Sequence, residues 1–416
     1  MTLTHERWRS PWCCLFAFWL AACGESSGLP AWTGTIDTLA NGAVRVTNAG
    51  EGLWTPESAW SLRETCRIGG AAAEGPEQFS AIVGLTTDAS GRLYVLDRRA
   101  QEVRVFTRAG AHVRTIGRPG EGPGEFSGAN GVTPGPQASI WVIDPGNSRY
   151  TALDTAGIVL SEYTRPIASY GYISEARFTA EGDLAERGSR RGPPGADGRP
   201  QFIPVVVRMR IDSTLSVRDS LDLPFQGGES FHVTRTEGGR IVGESFMSIP
   251  FNTTLATVLD PRGYLWSGDN DEYRIWQQTF DGDSIRAIER AIERLPVSGE
   301  ERQNAIAGIT ERAGTTSGID FGRIPDVKPY YKRFLVDDLG YLWVWRTTAS
   351  DSASFDVFDP EGRFLGSLDT NARINPYAPI DLRTSSLTVT ESDELDVPVI
   401  VCFAIDGRSP PAESGG

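Results

Sequence analysis

A unit of about 47 residues recurs along this chain, and a period of that length admits few folds. Ile68-Gly69 followed by Gly75-Pro76-Glu77-Gln78-Phe79 returns as Ile116-Gly117 followed by Gly122-Pro123-Gly124-Glu125-Phe126. Leu93-Tyr94-Val95-Leu96-Asp97 returns as Ile140-Trp141-Val142-Ile143-Asp144, and each copy continues to an apolar residue (Phe106, Leu153) and a turn glycine (Gly110, Gly157). Two later copies begin at Gly263-Tyr264-Leu265-Trp266 and at Gly340-Tyr341-Leu342-Trp343. A weaker unit spans about 173–222, with residues 202–210 as its third strand and 187–198 reading as a Gly/Pro/Arg loop. Each unit sets apolar or alternating strands between Asp/Gly turns, the pattern of a four-stranded antiparallel propeller blade.

The last unit, 385–407, supplies three strands. Its missing outer strand lies at the other end of the chain, where Cys66-Arg67-Ile68-Gly69 matches Arg114-Thr115-Ile116-Gly117. A ring closed by strands from both termini leaves no open sheet edge at the seam. The expected fold is therefore an all-β, six-bladed β-propeller with blades at about 83–117, 131–165, 173–222, 252–290, 332–369 and 385–407 plus 62–69. Residues 223–251 could add strands to the third or fourth blade, which leaves five or seven blades open. The closing blade carries a sharper expectation. Phe403 precedes Gly407 as Phe106 precedes Gly110, so Cys402 takes the place of Val105 while Cys66 takes that of Arg114. A four-residue turn pairs those places across the strands, and a Cys66–Cys402 disulfide is predicted. Between blades 4 and 5, residues 284–294 and 298–312 show helical spacing, the second opened by a Ser298/Glu301 capping box, so a helical insertion is expected there.

At the N-terminus, Arg7 and Arg9 precede an apolar run over 12–22, too short for a permanent membrane span. It closes on Leu20-Ala21-Ala22-Cys23, which resembles the bacterial lipobox and implies lipid attachment at Cys23. The resulting division is a signal peptide at 1–22, a tether at 23–34, the propeller at 35–407 and a disordered tail at 408–416. Gly24, by analogy with such lipoproteins, favours the outer membrane. The formal net charge of −14 repels phosphate backbones, so nucleic acid is not expected as a partner. The basic residues are almost all arginine, Lys328 and Lys332 being the two lysines.

Together with Asp144-Pro145-Gly146-Asn147-Ser148-Arg149 and Phe358-Asp359-Pro360-Glu361-Gly362-Arg363, these repeats resemble the NHL type. Over about 35–407 the chain is similar to the bacterial "6-bladed beta-propeller" lipoproteins. That resemblance implies a fold and an extracytoplasmic location; it implies little about a reaction.

Six-bladed propellers include lactonase-like hydrolases and lyases with a metal in the central channel, and the composition limits which of these the chain could be. Beyond the leader there are two histidines, His112 in a predicted hairpin turn and His232, so neither a His-rich metal site nor a Ser/His/Asp triad has support. Carboxylates could still hold calcium. The weak candidates are Asp97, Asp144 and Asp269, which recur at one blade position. Recurrence favours turn capping, because a site needs different residues on different blades. Tyr341, Trp343 and Trp345 share one strand face and read as core between blades. No catalytic residue is assigned. The favoured reading is a monomeric, cofactor-free, non-catalytic module that binds a protein, peptide or glycan. The alternative is a calcium-type, metal-dependent lactonase-like hydrolase or lyase with its site in the channel.

Overall fold

A computed structural model describes residues 32–408 except 170–171, 194–201, 213, 224–229, 238–239, 315–317 and 351. The expected signal peptide (1–22), the expected lipidation site Cys23 and most of the expected tether lie outside the described residues. Three strands come first: β1 (Gly34–Thr38), β2 (Val44–Asn48) and β3 (Ser61–Gly69). Blade 1 follows with β4 (Ile82–Thr87), β5 (Leu93–Asp97), β6 (Glu102–Phe106) and β7 (His112–Ile116). Blade 2 has β8 (Gly131–Pro134), β9 (Ile140–Asp144), β10 (Arg149–Leu153) and β11 (Val159–Thr164). In blade 3, β12 (Ala168–Ser169) and β13 (Ala176–Phe178) both pair with β14 (Leu184–Arg191), which continues to β15 (Phe202–Ile211) and β16 (Leu215–Asp222). A separate hairpin, β17 (Ser230–Glu237) and β18 (Arg240–Ser248), precedes blade 4 with β19 (Leu255–Leu259), β20 (Leu265–Asp269), β21 (Arg274–Gln278) and β22 (Ser284–Arg290). Helix α1 (Gly299–Ala313) leads to blade 5: β23 (Tyr331–Val336), β24 (Leu342–Arg346), β25 (Ser354–Phe358) and β26 (Phe364–Asp369). Blade 6 has β27 (Asp381–Arg383), β28 (Ser386–Ser392) and β29 (Pro398–Asp406), with β3 as its outer strand. The chain is thus an all-β, six-bladed propeller of antiparallel blades, closed by its two ends.

The turns explain why the units repeat. Asp88, Asp154, Asp337 and Asp359 each accept hydrogen bonds from the backbone N–H groups two and four residues on. The residue three on is glycine in each case, at φ between 82° and 89°, a region closed to most side chains. One Asp-x-x-Gly turn therefore reverses the chain wherever it occurs, and alternating apolar residues on the strands it joins bury against the next blade. Trp343 and Trp345 lie on that face, fully buried with Leu387, Val389 and Val401 of blade 6. At the seam, Cys402 stands opposite Cys66 in the β29/β3 register, the Cα atoms are 5.0 Å apart, and the sulfurs are bonded.

Four features depart from the sequence reading. Residues 284–290, expected as helix, form β22, because that strand is paired on both edges, to β21 and in parallel to β2, and buries Ala287 and Ile288. Pairing partners outweigh local helical spacing. Residues 187–191, expected as loop, extend β14: Arg187 and Arg190 find Glu175 and Asp222, so a polar strand is stable at the blade's rim. The stretch after blade 3 joins neither neighbouring blade. Instead β17 and β18 pair with each other, and Phe231, Val233 and Ile249 pack against Ile309 of α1 to form a small second core. Arg408, placed in the disordered tail, is held: its guanidinium bonds Asp337 at 2.6 Å and lies 4.7 Å over Trp60 and 4.3 Å over Tyr341.

The N-terminal segment is the largest addition. The β1/β2 hairpin extends blade 4 outward, the chain then bonds along β26 through Trp54 N–H to the Leu365 carbonyl, and β3 completes blade 6. Asn48 pins this strap. Its fully buried amide donates to the Glu289 and Gly362 carbonyls and accepts from Phe364 N–H and the Trp32 indole. Asn48→Ala leaves those groups without partners and is expected to lower unfolding free energy by about 2 kcal/mol in chemical denaturation. An unchanged midpoint would mean that the strap adds nothing to the ring.

Candidate functional site

The recurring aspartates hold loops. Asp97 is fully buried and accepts from the Ser80, Ala81 and Arg99 N–H groups, at 2.8, 3.2 and 3.2 Å. Asp144 is buried in the same way and accepts from Ser127, Gly128 and Asn147. Both tie the loop before the inner strand to the end of the second strand. On blade 4 that task falls to Asn270, one residue beyond Asp269: its oxygen accepts from Thr254 N–H at 2.7 Å and its amide donates to the Tyr331 carbonyl. Asp97 and Asp144 bond loops of their own blades. Among the described residues, no three His, Cys, Asp or Glu side chains converge as metal ligands would. His112 opens β7 rather than sitting in its turn, and His232 stacks on Phe246 of β18.

What the inner strands enclose is different. A cavity of about 370 Å³ lies where they meet and is lined by residues of β4, β8, β13, β19, β23 and β27, one strand from every blade. Its lining carries five cations, Arg177, Arg187, Lys332, Arg333 and Arg383, and two carboxylates, Glu175 and Asp381. This excess of positive charge sits inside a chain whose formal net charge is −14.

The five cations are not alike. Arg383 is neutralised: it bonds Asp381 at 3.0 Å, Asp338 at 3.4 Å and the Thr86 hydroxyl at 2.8 Å. Burial works against its charge, but those carboxylates outweigh it, and its pKa is raised. Arg187 pairs with Glu175 at 3.0 Å. Among the described residues Arg333 has no carboxylate in bonding range; it donates to the Pro376 and Ala378 carbonyls at 3.2 and 3.1 Å, and burial lowers its pKa. Arg177 makes no hydrogen bond or ion pair among the described residues. Burial first, and then the like charge of Arg383, push its pKa down, against weaker pulls from Asp381, Asp338 and Asp260. The channel thus holds a half-buried guanidinium that no carboxylate partners among the described residues.

At the mouth, Arg333 also fixes a turn. Its two carbonyl partners flank Tyr377, whose N–H donates to the Asn375 side chain, yet the Tyr377 ring is 87% exposed. The backbone is pinned while a large aromatic face stands in solvent beside the cavity.

Sequence reasoning passed over these residues. Aligned on the pairs that close each inner hairpin, Arg177 stands where blades 1, 2 and 4 have Thr86, Thr133 and Val258. Arg333 stands where they have Gly84, Gly131 and Ala256. The signal was a departure from the repeat: arginine at inner-strand places that small or uncharged residues fill elsewhere.

Residues 79–155 match the family described as "6-bladed beta-propeller". No curated protein matches the sequence. Among solved structures, a protein of Bacteroides fragilis described as exported is 12% identical, covers 87% of this chain and 99% of its own, and superposes with a TM-score of 0.49. Virginiamycin B lyase of Staphylococcus aureus, solved as a catalytically inactive variant with quinupristin, is 13% identical, covers 83% of this chain and 99% of its own, at a TM-score of 0.42. Among the described residues, no helix is long and apolar enough to cross a membrane. With its ring closed between β3 and β29, this chain is a six-bladed β-propeller whose first blade and the start of the second match that family's pattern.

Proposed function

We propose that this propeller is an exported, lipid-anchored, non-catalytic binding module that receives a peptide, protein or glycan at the mouth of its central channel. Export is supported by the lipobox-like run ending at Cys23 and by the Cys66–Cys402 bond, which belongs in an oxidising compartment. The observation that carries the binding reading is Tyr377. An aromatic ring costs hydration when left in water, and here the ring is 87% exposed on a turn whose backbone is bonded on both sides. Such rings make flat, rigid ligand contacts at little cost in conformational entropy. The lining chemistry also favours binding over hydrolysis, since its charge comes from arginines rather than from gathered carboxylates.

The test is binding of the purified protein to immobilised glycans and peptides. Tyr377→Ala is expected to weaken capture about tenfold while leaving the unfolding midpoint in place. Undiminished capture by that variant would remove the mouth from the reading. Stoichiometric divalent metal retained through dialysis, together with turnover of a lactone, would replace it with the metal-dependent hydrolase or lyase.

A further inference from the structure

We propose that the channel is an oxyanion site, in which Arg177 takes the carboxylate or phosphate group of the ligand and Arg333 and Arg383 frame it. The proposal rests on the binding reading above and names the chemistry of the group that enters.

Three observations converge. The cavity is walled by strands from all six blades, so a group inside it meets side chains from every blade. Its lining has an excess of cations, which in such a setting raises the local concentration of anions well above that in bulk. Within that lining Arg177 has its guanidinium unpaired among the described residues, whereas Arg383 and Arg187 each hold carboxylates. A guanidinium offers two parallel N–H donors to a planar or tetrahedral oxyanion, and a charge-assisted pair of this kind is shorter and stronger than a neutral one. Arg333 adds a second charge: one of its nitrogens is spent on the Pro376 and Ala378 carbonyls. By hairpin register it stands three places before the end of β23, and Arg177 stands one before the end of β13. The two are thus staggered along the channel on blades 5 and 3, as a ligand entering end-on would meet them. Small residues at the places matching Arg333 on three other blades, Gly84, Gly131 and Ala256, leave room at that level.

The lysine inventory supplies a direct readout. Of the two lysines in the chain, Lys332 is exposed and lines the cavity, whereas Lys328 is buried and bonded to Glu301 of α1. Mild acetylation followed by peptide mass spectrometry therefore reports on the channel through Lys332. Inorganic phosphate, succinate and glucuronate are the probes, each at roughly 100 mM against chloride at equal ionic strength. The expected result is that at least one protects Lys332 and raises the midpoint of thermal unfolding. In Arg177→Gln both effects are lost, with affinity reduced about tenfold or more. A preference for phosphate would assign a phosphorylated ligand, and one for succinate or glucuronate a carboxylated one.

Arg177→Gln is expected to be at least as stable as the parent without anion, because it removes a charge that stands against Arg383. If it does not fold, Arg177→Lys decides, since it keeps the charge and gives up the two-pronged geometry. Its affinity should fall between the parent and no binding. Equal protection in the parent and the variants would overturn the role of Arg177. No protection by any probe, alongside glycan or peptide capture that depends on Tyr377, would overturn the oxyanion site and leave the binding module standing.

Discussion

Cys402→Ser is expected to lower the free energy of unfolding by about 4 kcal/mol. The bond joins residues 336 apart in sequence, so it closes nearly the whole ring as one loop. Cross-linking removes conformational freedom from the unfolded chain, and that effect grows with the logarithm of loop length, which places this bond near the upper end of what a single disulfide contributes. The site is also well placed to convert constraint into native stability. Cys66 and Cys402 are directly opposed in an antiparallel register and are covered by Ile68, Phe106 and Ile400. Guanidinium denaturation with and without reductant should show the same loss in the parent as the serine variant shows without it. A variant whose midpoint matches the oxidised parent would mean that the pairing of β3 with β29 closes the ring unaided.

The second large effect lies between blades 4 and 5. Asp356 of β25 is fully buried and accepts hydrogen bonds from the Tyr273 hydroxyl and the Ser367 hydroxyl, both at 2.7 Å, and from Arg290 of β22. Arg346 stands 3.8 Å away. Asp356→Ala would leave buried positive charge and a buried hydroxyl without their acceptor, at an expected cost of about 4 kcal/mol in chemical denaturation. Asp356→Asn keeps an acceptor while removing the charge, and its loss should be smaller. If both variants lose the same amount, the carboxylate charge is irrelevant and only its shape matters. The cluster also sets an alkaline limit. Burial, and then the Asp356 charge, raise the Tyr273 pKa well above its ordinary value of 10.0. A group raised in the folded state stabilises the fold fully below its unfolded pKa and loses that contribution as pH climbs through the folded one. Stability should therefore begin to fall above about pH 10.

The ring was legible because its information is periodic. Asp-x-x-Gly turns and alternating apolar strands occur often enough for the blade pattern, the borrowed strand and even the Cys66/Cys402 register to follow from spacing, while residues 223–251 left the count open between five, six and seven. Elements that occur once had no second copy to be compared with. Residues 284–290 have helical spacing, and only the strand on either side of them makes β22 a strand. The β1/β2 hairpin and the β17/β18 hairpin are likewise single, and their partners, β22 and α1, are distant in sequence. The candidate site was missed for the opposite reason. Asp97 and Asp144 drew attention by recurring, and they hold loops; Arg177 and Arg333 differ from their counterparts, and they line the channel. In a repeat protein the scaffold is what all units share, so residues that break the pattern at an inner strand are the better guide to binding.

The strap of residues 34–65 gives the molecule a particular mechanical order. A pull at the N-terminus first meets β1, which opens from β2 one rung at a time. It then meets β2 on β22, then the stretch bonded along β26, and then the start of β3. At Cys66 the load crosses a covalent bond into β29, and the slack that the chain can yield ends there. Strands β4 to β28, with every inner strand of the channel, lie beyond that stop. Force applied at the N-terminus is therefore handed to β29 by a covalent bond before it reaches strands β4 to β28.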